Sequence, residues 1–281
     1  MMSDSASSPV RMADFQDKYG PWAVIIGASH GTGAESARQL AAQGLNCALV
    51  ARSAPALLAL KKELKTRYRV EARVITADLS TEAGVHHVQD SLVDLDLGLM
   101  VFNAGAPAYP SKFLNAPLQT WQDLLNLGAN ALMTLTYSIG QQLRERGKGG
   151  ILLMGSHAGL GGNKKFAMYT ATKGFMLNFG ESLWMELKDQ GIDVLNFLIQ
   201  VVDTPTLRKE MQRAGIEGCD SDTIPGVYPA EAIVKLALRE LPNGPTFIHP
   251  EDEEQGAGTG KARGSAVKER WEHTAPFVGE D

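Results

Sequence analysis

Short apolar runs at Trp22–Gly27, Asn46–Ala51, Val70–Thr76, Leu99–Asn103, Ile151–Gly155, Val194–Val201 and Thr246–His249 are separated by stretches with helical spacing. The runs lack the alternation of a sheet with one wet face, which predicts strands buried on both sides. The intervening stretches are Ala34–Gln43, Leu57–Tyr68, Thr81–Leu92, Thr120–Arg146, Met168–Gln190 and Ala230–Leu241. Gly44, Gly147 and Gly191 follow three of them, the residue favoured at a left-handed helix end. Strand and helix in alternation predict an α/β fold: a doubly wound, Rossmann-type parallel sheet of about seven strands with helices on both faces.

No repeat or internal linker divides the 281 residues, so one domain over residues 20–250 is expected, preceded by an N-terminal extension over 1–19. Residues 203–228 hold Pro205, Gly215, Gly218, Pro225 and Gly226 and read as a long irregular loop, the usual form of a lid over a substrate site. Residues 251–281 are rich in charge and Gly. With Trp271 and Phe277 among them, they read equally as a disordered tail or a docking arm.

The formal net charge is −5, and nothing concentrates positive charge for a phosphate backbone, so nucleic acid is not an expected partner. No apolar run reaches the ~18–20 residues that span a bilayer. Residues 1–19 also lack the apolar core of a secretory signal. A cytoplasmic protein without a membrane partner is the expectation. Cys47 and Cys219 are too few for a disulfide framework and suit a reducing compartment. His86 and His87 are adjacent rather than one helical turn apart, so no metal site is expected.

Chemistry enters at the turn Gly27-Ala-Ser29-His30-Gly31-Thr32-Gly33, which leaves the first strand and opens a helix. A dinucleotide needs its pyrophosphate near unpaired backbone N–H groups, which a helix N-terminus supplies together with a favourable dipole. Side chains would block that approach. The same glycines also suit a strand-to-helix turn that binds nothing. At the end of the second strand, where a site for NAD usually places an acid, Arg52 and Ser53 stand instead. The guanidinium offers a permanently charged fork for a 2′-phosphate, with Ser53 and Ser29 as further donors, and so points to NADP(H). Asp78, after the third strand, is placed to accept from an adenine amino group or to cap the next helix.

Tyr169 and Lys173 stand four residues apart at the start of a helical stretch and share one face. A phenol ordinarily titrates near ~10, and a cation within reach lowers such a value by ~1–3 units. The pair therefore suits proton transfer at neutral pH. Thirteen residues before the tyrosine, Ser156 closes the fifth strand. Catalytic groups in open α/β sheets gather at such strand ends, and the serine is placed to hydrogen-bond a reacting carbonyl or alkoxide oxygen.

With these residues in hand the chain resembles the short-chain dehydrogenase/reductase family. The matching elements are Gly27/Gly31/Gly33, Asp78-Leu79, Asn103-Ala104-Gly105, Ser156, Tyr169-x-x-x-Lys173 and Asp203-Thr204-Pro205, over about residues 20 to 250. The resemblance implies a nicotinamide cofactor, hydride transfer without metal, and a Ser–Tyr–Lys mechanism in which Lys173 also binds the ribose. It implies that Asn103, Ala104 and Gly105 lie under the cofactor, that Leu79 and Val202 are among the residues that bind it, and that Thr204 meets the carboxamide. Tyr19-Gly-Pro-Trp22 and Leu95-Asp-Leu-Gly-Leu99 look closest to the hydroxysteroid dehydrogenase and long-chain β-ketoacyl reductase branch.

Three positions depart from the pattern. The family's helical catalytic Asn falls on Gly128, with Asn126 and Asn130 nearby, so either a helix irregularity lets a neighbour substitute or the proton relay is built differently. Ile199-Gln200 replaces an expected Pro-Gly, and Phe102 replaces an Asn. The leading reading is an NADP(H)-dependent enzyme interconverting a ketone and a secondary alcohol. The alternative is a nucleotide sensor on the same fold that has lost turnover. Phe113, Leu160, Phe166, Met168, Leu207 and Met211 would suit an apolar, medium-sized small-molecule substrate. Family members associate through the two long helices, so a homodimer or homotetramer is expected.

Overall fold

The computed structural model describes residues 12–105, 110–213 and 226–249. Its elements run α1 (Met12–Tyr19), β1 (Trp22–Ile26), α2 (Gly31–Ala42), β2 (Asn46–Ala51), α3 (Ala54–Tyr68), β3 (Ala72–Thr76), α4 (Glu82–Leu92) and β4 (Leu97–Phe102). There follow α5 (Leu118–Leu125), α6 (Ala131–Arg146), β5 (Gly149–Ser156), α7 (Ala167–Leu187), β6 (Ile192–Ile199), β7 (Val201–Asp203), α8 (Pro205–Arg213), β8 (Val227–Pro229), α9 (Ala230–Glu240) and β9 (Thr246–His249).

Seven strands form one sheet in the order β3-β2-β1-β4-β5-β6-β9, every neighbouring pair parallel. Because the strands are buried on both faces, successive residues feed two separate cores. Ala23, Ile25, Leu49, Val101, Leu152 and Phe197 join the helices α1, α2, α3 and α9 in one. Val24, Ile26, Val50, Phe102, Leu153 and Val194 join α4, α6 and α7 in the other. This is the physical content of runs without alternation: both sides of the pleat are dry. Each fully buried Leu- or Phe-sized side chain contributes roughly 1.5–3 kcal/mol.

Four expectations shift. Residues 12–19, read as part of an extension, form α1, whose Phe15 and Tyr19 are buried in the first core. The sixth strand ends at Ile199 rather than Val201; at exposed Gln200 the chain leaves the main sheet, and Val201–Asp203 pair with β8 instead. Residues 203–228 are not irregular throughout. Thr204 accepts the Leu207 N–H at 3.2 Å as a cap, and Pro205, whose fixed φ suits the first helical position, starts α8. Finally, the stretch Thr120–Arg146 is not one regular helix. A π-helical turn over Asn126–Asn130 joins α5 to α6, and the Ala131 N–H bonds the Asn126 carbonyl five residues back. Met211 belongs to α8 without a described side chain, while Gly215, Gly218, Cys219, Pro225, Trp271 and Phe277 lie outside the described residues.

Candidate active site

The order of the sheet reverses direction between β2-β1 and β4, so the turn after β1 opens at the switch point where such sheets hold ligands. The Gly27–Gly33 turn is tight. Gly31 has φ +55° and a Cβ there would lie 2.7 Å from Thr204 Cγ2; one on Gly33 would lie 2.0 Å from the Gly27 carbonyl oxygen. Only bare backbone fits, and it leads into the first turn of α2, whose N–H groups lack partners inside the helix. His30 occupies the N-cap position, exposed, without a side-chain capping bond.

Asn103, at the end of β4, ties this turn to the centre of the sheet. Its Nδ2 donates to the Gly27 carbonyl at 3.2 Å, and its Oδ1 accepts from the Thr32 hydroxyl at 2.7 Å. The side chains of Thr32 and Asn103 thus hold the turn's shape, and what they offer a cofactor is backbone. Leu79 and Val202 are likewise buried among apolar neighbours, and Phe102 is wholly inside the second core. Thr204 packs against Gly31, so the start of α8 closes down on the glycine turn.

Arg52 is exposed at the end of β2, near enough to Asp78 to help depress that carboxyl. The larger causes are the Ser80 N–H and hydroxyl, which both donate to Asp78 Oδ1 at 3.0 and 2.8 Å. Asp78 does not cap α4; Thr81 does, its hydroxyl accepting the Gly84 N–H at 3.1 Å. Ser29 and Ser53 are half-buried at their turns.

Across the cleft, Ser156 ends β5. Its Oγ accepts the Ala158 N–H at 3.2 Å, which leaves the hydroxyl proton to donate elsewhere. The following turn, His157–Leu160, lies directly on α7: a Cβ on Gly159 would meet the Lys173 carbonyl oxygen at 2.8 Å. That contact brings the turn following Ser156 against α7, the helix that carries Tyr169 and Lys173. The Tyr169 ring is flanked edge-on by Phe166 at 6.5 Å between centroids. Lys173 Nζ donates to the Met154 carbonyl at 3.3 Å and lies near Gly105. Desolvation pulls its pKa down to about 8.

Ala104, Gly105, Leu124, Gly128, Tyr169, Thr172, Lys173 and Met176 surround a cavity of roughly water size. Gly128 sits within the π turn and faces Thr172. The neighbouring asparagines do not take its place: Asn130 Nδ2 donates to Asn126 Oδ1 at 2.8 Å, and neither lines the cavity. Sequence patterns carry no sign of Met154, which contributes only a carbonyl, or of Gly159, whose role is the space it leaves.

Residues 21–215 match the family model described as short chain dehydrogenase. The very-long-chain 3-oxoacyl-CoA reductase of Meyerozyma guilliermondii is 33% identical over 243 residues, covering 83% of this chain and 68% of that protein. The inactive hydroxysteroid dehydrogenase-like protein 1 of Rattus norvegicus is 32% identical over 187 residues, covering 66% of this chain and 57% of that protein. Among solved structures, a short-chain dehydrogenase from Sphingobium yanoikuyae in complex with NADPH superposes with a TM-score of 0.77 at 28% identity, covering 93% of this chain and 99% of that one. With the glycine turn at the sheet's switch point, the match of the family model over residues 21–215 makes this chain a member of the short-chain dehydrogenase/reductase family.

Proposed function

We propose that the chain is an NADP(H)-dependent reductase that converts an apolar, medium-sized ketone to a secondary alcohol, and the reverse when cofactor supply demands it. The observation that supports the reading is the contact of the Gly159 turn, three residues after Ser156, with the backbone of α7 at Lys173, while Tyr169 and Lys173 line one cavity.

The bare turn and the first N–H groups of α2 fit a pyrophosphate, and Arg52 fits a 2′-phosphate. Once bound, the nicotinamide supplies the hydride that reduces the carbonyl carbon. The Ser156 hydroxyl donates to the carbonyl oxygen and holds it for the reaction. Tyr169 Oη delivers the proton to that oxygen as negative charge develops on it, and takes it back in the oxidative direction. Lys173 provides positive charge beside the phenol and the ribose hydroxyls. Positioned proton transfer of this kind contributes about 10²–10⁴ in rate.

The test is NADPH oxidation with a panel of ketones, wild type against Tyr169→Phe. The panel includes a 3-oxoacyl thioester, since the Meyerozyma relative is named for that substrate. Loss of at least a hundredfold with the variant is expected. Equal rates in the two proteins would remove Tyr169 from the mechanism, and absence of turnover in both would favour a nucleotide sensor.

The proposal extends to a homodimer through α6 and α7. Met133 and Tyr137 stand four residues apart on α6, 48% and 71% exposed, and Phe175 on α7 is also exposed, stacked on Phe179 at 5.4 Å.

A further inference from the structure

Two segments at the carboxyl edge of the sheet build an exposed rim beside the cleft. Residues 110–118 come from the connection after β4, and residues 161–166 from the connection after β5. A backbone bond from the Ser111 N–H to the Lys165 carbonyl, 3.0 Å, fastens them together. Lys112 and Lys164 each stand one residue from that bond, and all three lysines are exposed.

The apolar part of the rim is held rigidly outward. Trp121 is buried; its indole N–H donates to the Phe113 carbonyl at 2.9 Å, and the Phe113 ring stacks on it at 5.8 Å. This anchored turn presents Leu114 at 90% exposure, and Leu118, opening α5, follows at 64%. Leucines kept in water on a braced turn are an energetic cost that solvent does not repay.

Charge names the occupant. Residues 110–122 and 157–180 contain no Asp or Glu, and the acid that follows the first segment, exposed Asp123, accepts from Gln119, although the whole chain is net negative at −5. Three exposed lysines against that one carboxylate make the two segments net positive where the leucines project. Apolar tips flanked by lysines match the layered chemistry of a membrane surface, with acyl chains beneath anionic headgroups. We propose that Lys112, Phe113, Leu114, Leu118, Lys164 and Lys165 form a docking surface for an anionic lipid bilayer, with the cleft mouth turned toward it. This attachment is peripheral, distinct from a span, and no described helix is long and apolar enough to cross a membrane. The geometry of the rim stands by itself; its use, collecting an apolar carbonyl substrate from the bilayer, rests on the reductase reading.

The experiment is flotation of the full chain with vesicles of phosphatidylcholine alone and of phosphatidylcholine with phosphatidylserine, scored for protein bound rather than for turnover. Wild type is expected to float with the anionic vesicles and to be released largely by high salt. Lys164→Glu/Lys165→Glu and Leu114→Ser/Leu118→Ser are each expected to lose about tenfold or more in binding while melting at the wild-type temperature. Equal flotation of wild type and both variants, or none with either vesicle, overturns the proposal. So does release of wild type by soluble pyrophosphate at constant ionic strength, which would assign the lysines to a soluble phosphate. A fall in solution mass for the leucine variant would assign the patch to a second copy and overturn it as well. Because none of these readings depends on catalysis, failure here leaves the Tyr169 test untouched.

Discussion

Gly128 faces Thr172 so closely that a Cβ on the glycine would lie 2.9 Å from the threonine Cβ. The contact joins the π turn between α5 and α6 to the helix that carries Tyr169 and Lys173, and both residues line the cavity at the lysine. A π turn inserts a residue into the helical ladder, and such turns recur at functional sites.

From this contact comes a sign. In an ordinary helix interior, Gly→Ala stabilises by about 1 kcal/mol. Here Gly128→Ala must push α5 from α7, and an overpacked contact costs roughly 1–3 kcal/mol. Net destabilisation in urea unfolding is expected, with a lower kcat because the cavity beside Lys173 is pinched. An alanine variant more stable than wild type would show the helices are not in tight contact. Gly128→Asn, which restores the family's residue type, is expected to be worse than alanine, since its bulk meets the same backbone-fixed neighbour.

Lys173 makes a prediction about pH. Its pKa lies at about 8 in the folded chain against an ordinary 10.5, so burial penalises the charged form. Below about pH 8 the folded state carries the full penalty; as pH rises from 8 to 10.5, the unfolded chain still binds the proton and the folded chain does not, and stability recovers. Lys173→Met is therefore expected to raise the stability of the cofactor-free protein near pH 7 by roughly 1–3 kcal/mol. The advantage should shrink toward pH 10, while reductase activity is lost. Denaturant melts of both proteins across that range decide it. A gain independent of pH would place its origin in packing alone.

Much of this arrangement is legible in the amino-acid sequence. Asn46–Ala51 and Thr246–His249 are strands over the expected residues because apolar runs buried on both faces carry a strong signal. Tyr169 and Lys173 are placed by one helical turn, and Ser156 by a strand end. The remainder depends on backbone. The Met154 carbonyl that holds Lys173, the space at Gly159 and the five-residue bond at Asn126 have no side-chain signature. The Asn103–Thr32 bond joins residues 71 apart, and neither residue type announces the other. At α8, the loop signals of Pro205 and the later glycines outweigh those of a helix begun by its own cap.

Arg52 is the residue proposed to select the nucleotide. It is exposed at the end of β2, on the edge where Asp78 follows β3, and no acid occupies its position. A hydrogen-bonded charge pair is worth about 1.5–3 kcal/mol. Arg52→Ala is expected to lower kcat/KM for NADPH by roughly 10- to 100-fold and to leave that for NADH nearly unchanged. Arg52→Asp should reverse the preference by repelling the 2′-phosphate and accepting from ribose hydroxyls. Parallel loss with both cofactors would assign Arg52 to the fold rather than to the phosphate.

The α6–α7 face supplies the last prediction. Met133 and Tyr137 lie on one side of α6, and Phe175, stacked on Phe179, extends the apolar surface on α7. In a twofold pairing each side chain meets its own surface again, so a single charge is repeated across the interface and repels its copy. If the proposed homodimer forms through this face, wild type is expected to have the mass of a dimer in solution and Tyr137→Asp that of a monomer, while its exposed position leaves the thermal melt of the dissociated chain close to that of wild type at equal dilution. The vesicle-binding rim at Leu114 lies on other elements, so flotation of the Tyr137 variant should persist. Retention of the dimer would move the interface away from α6.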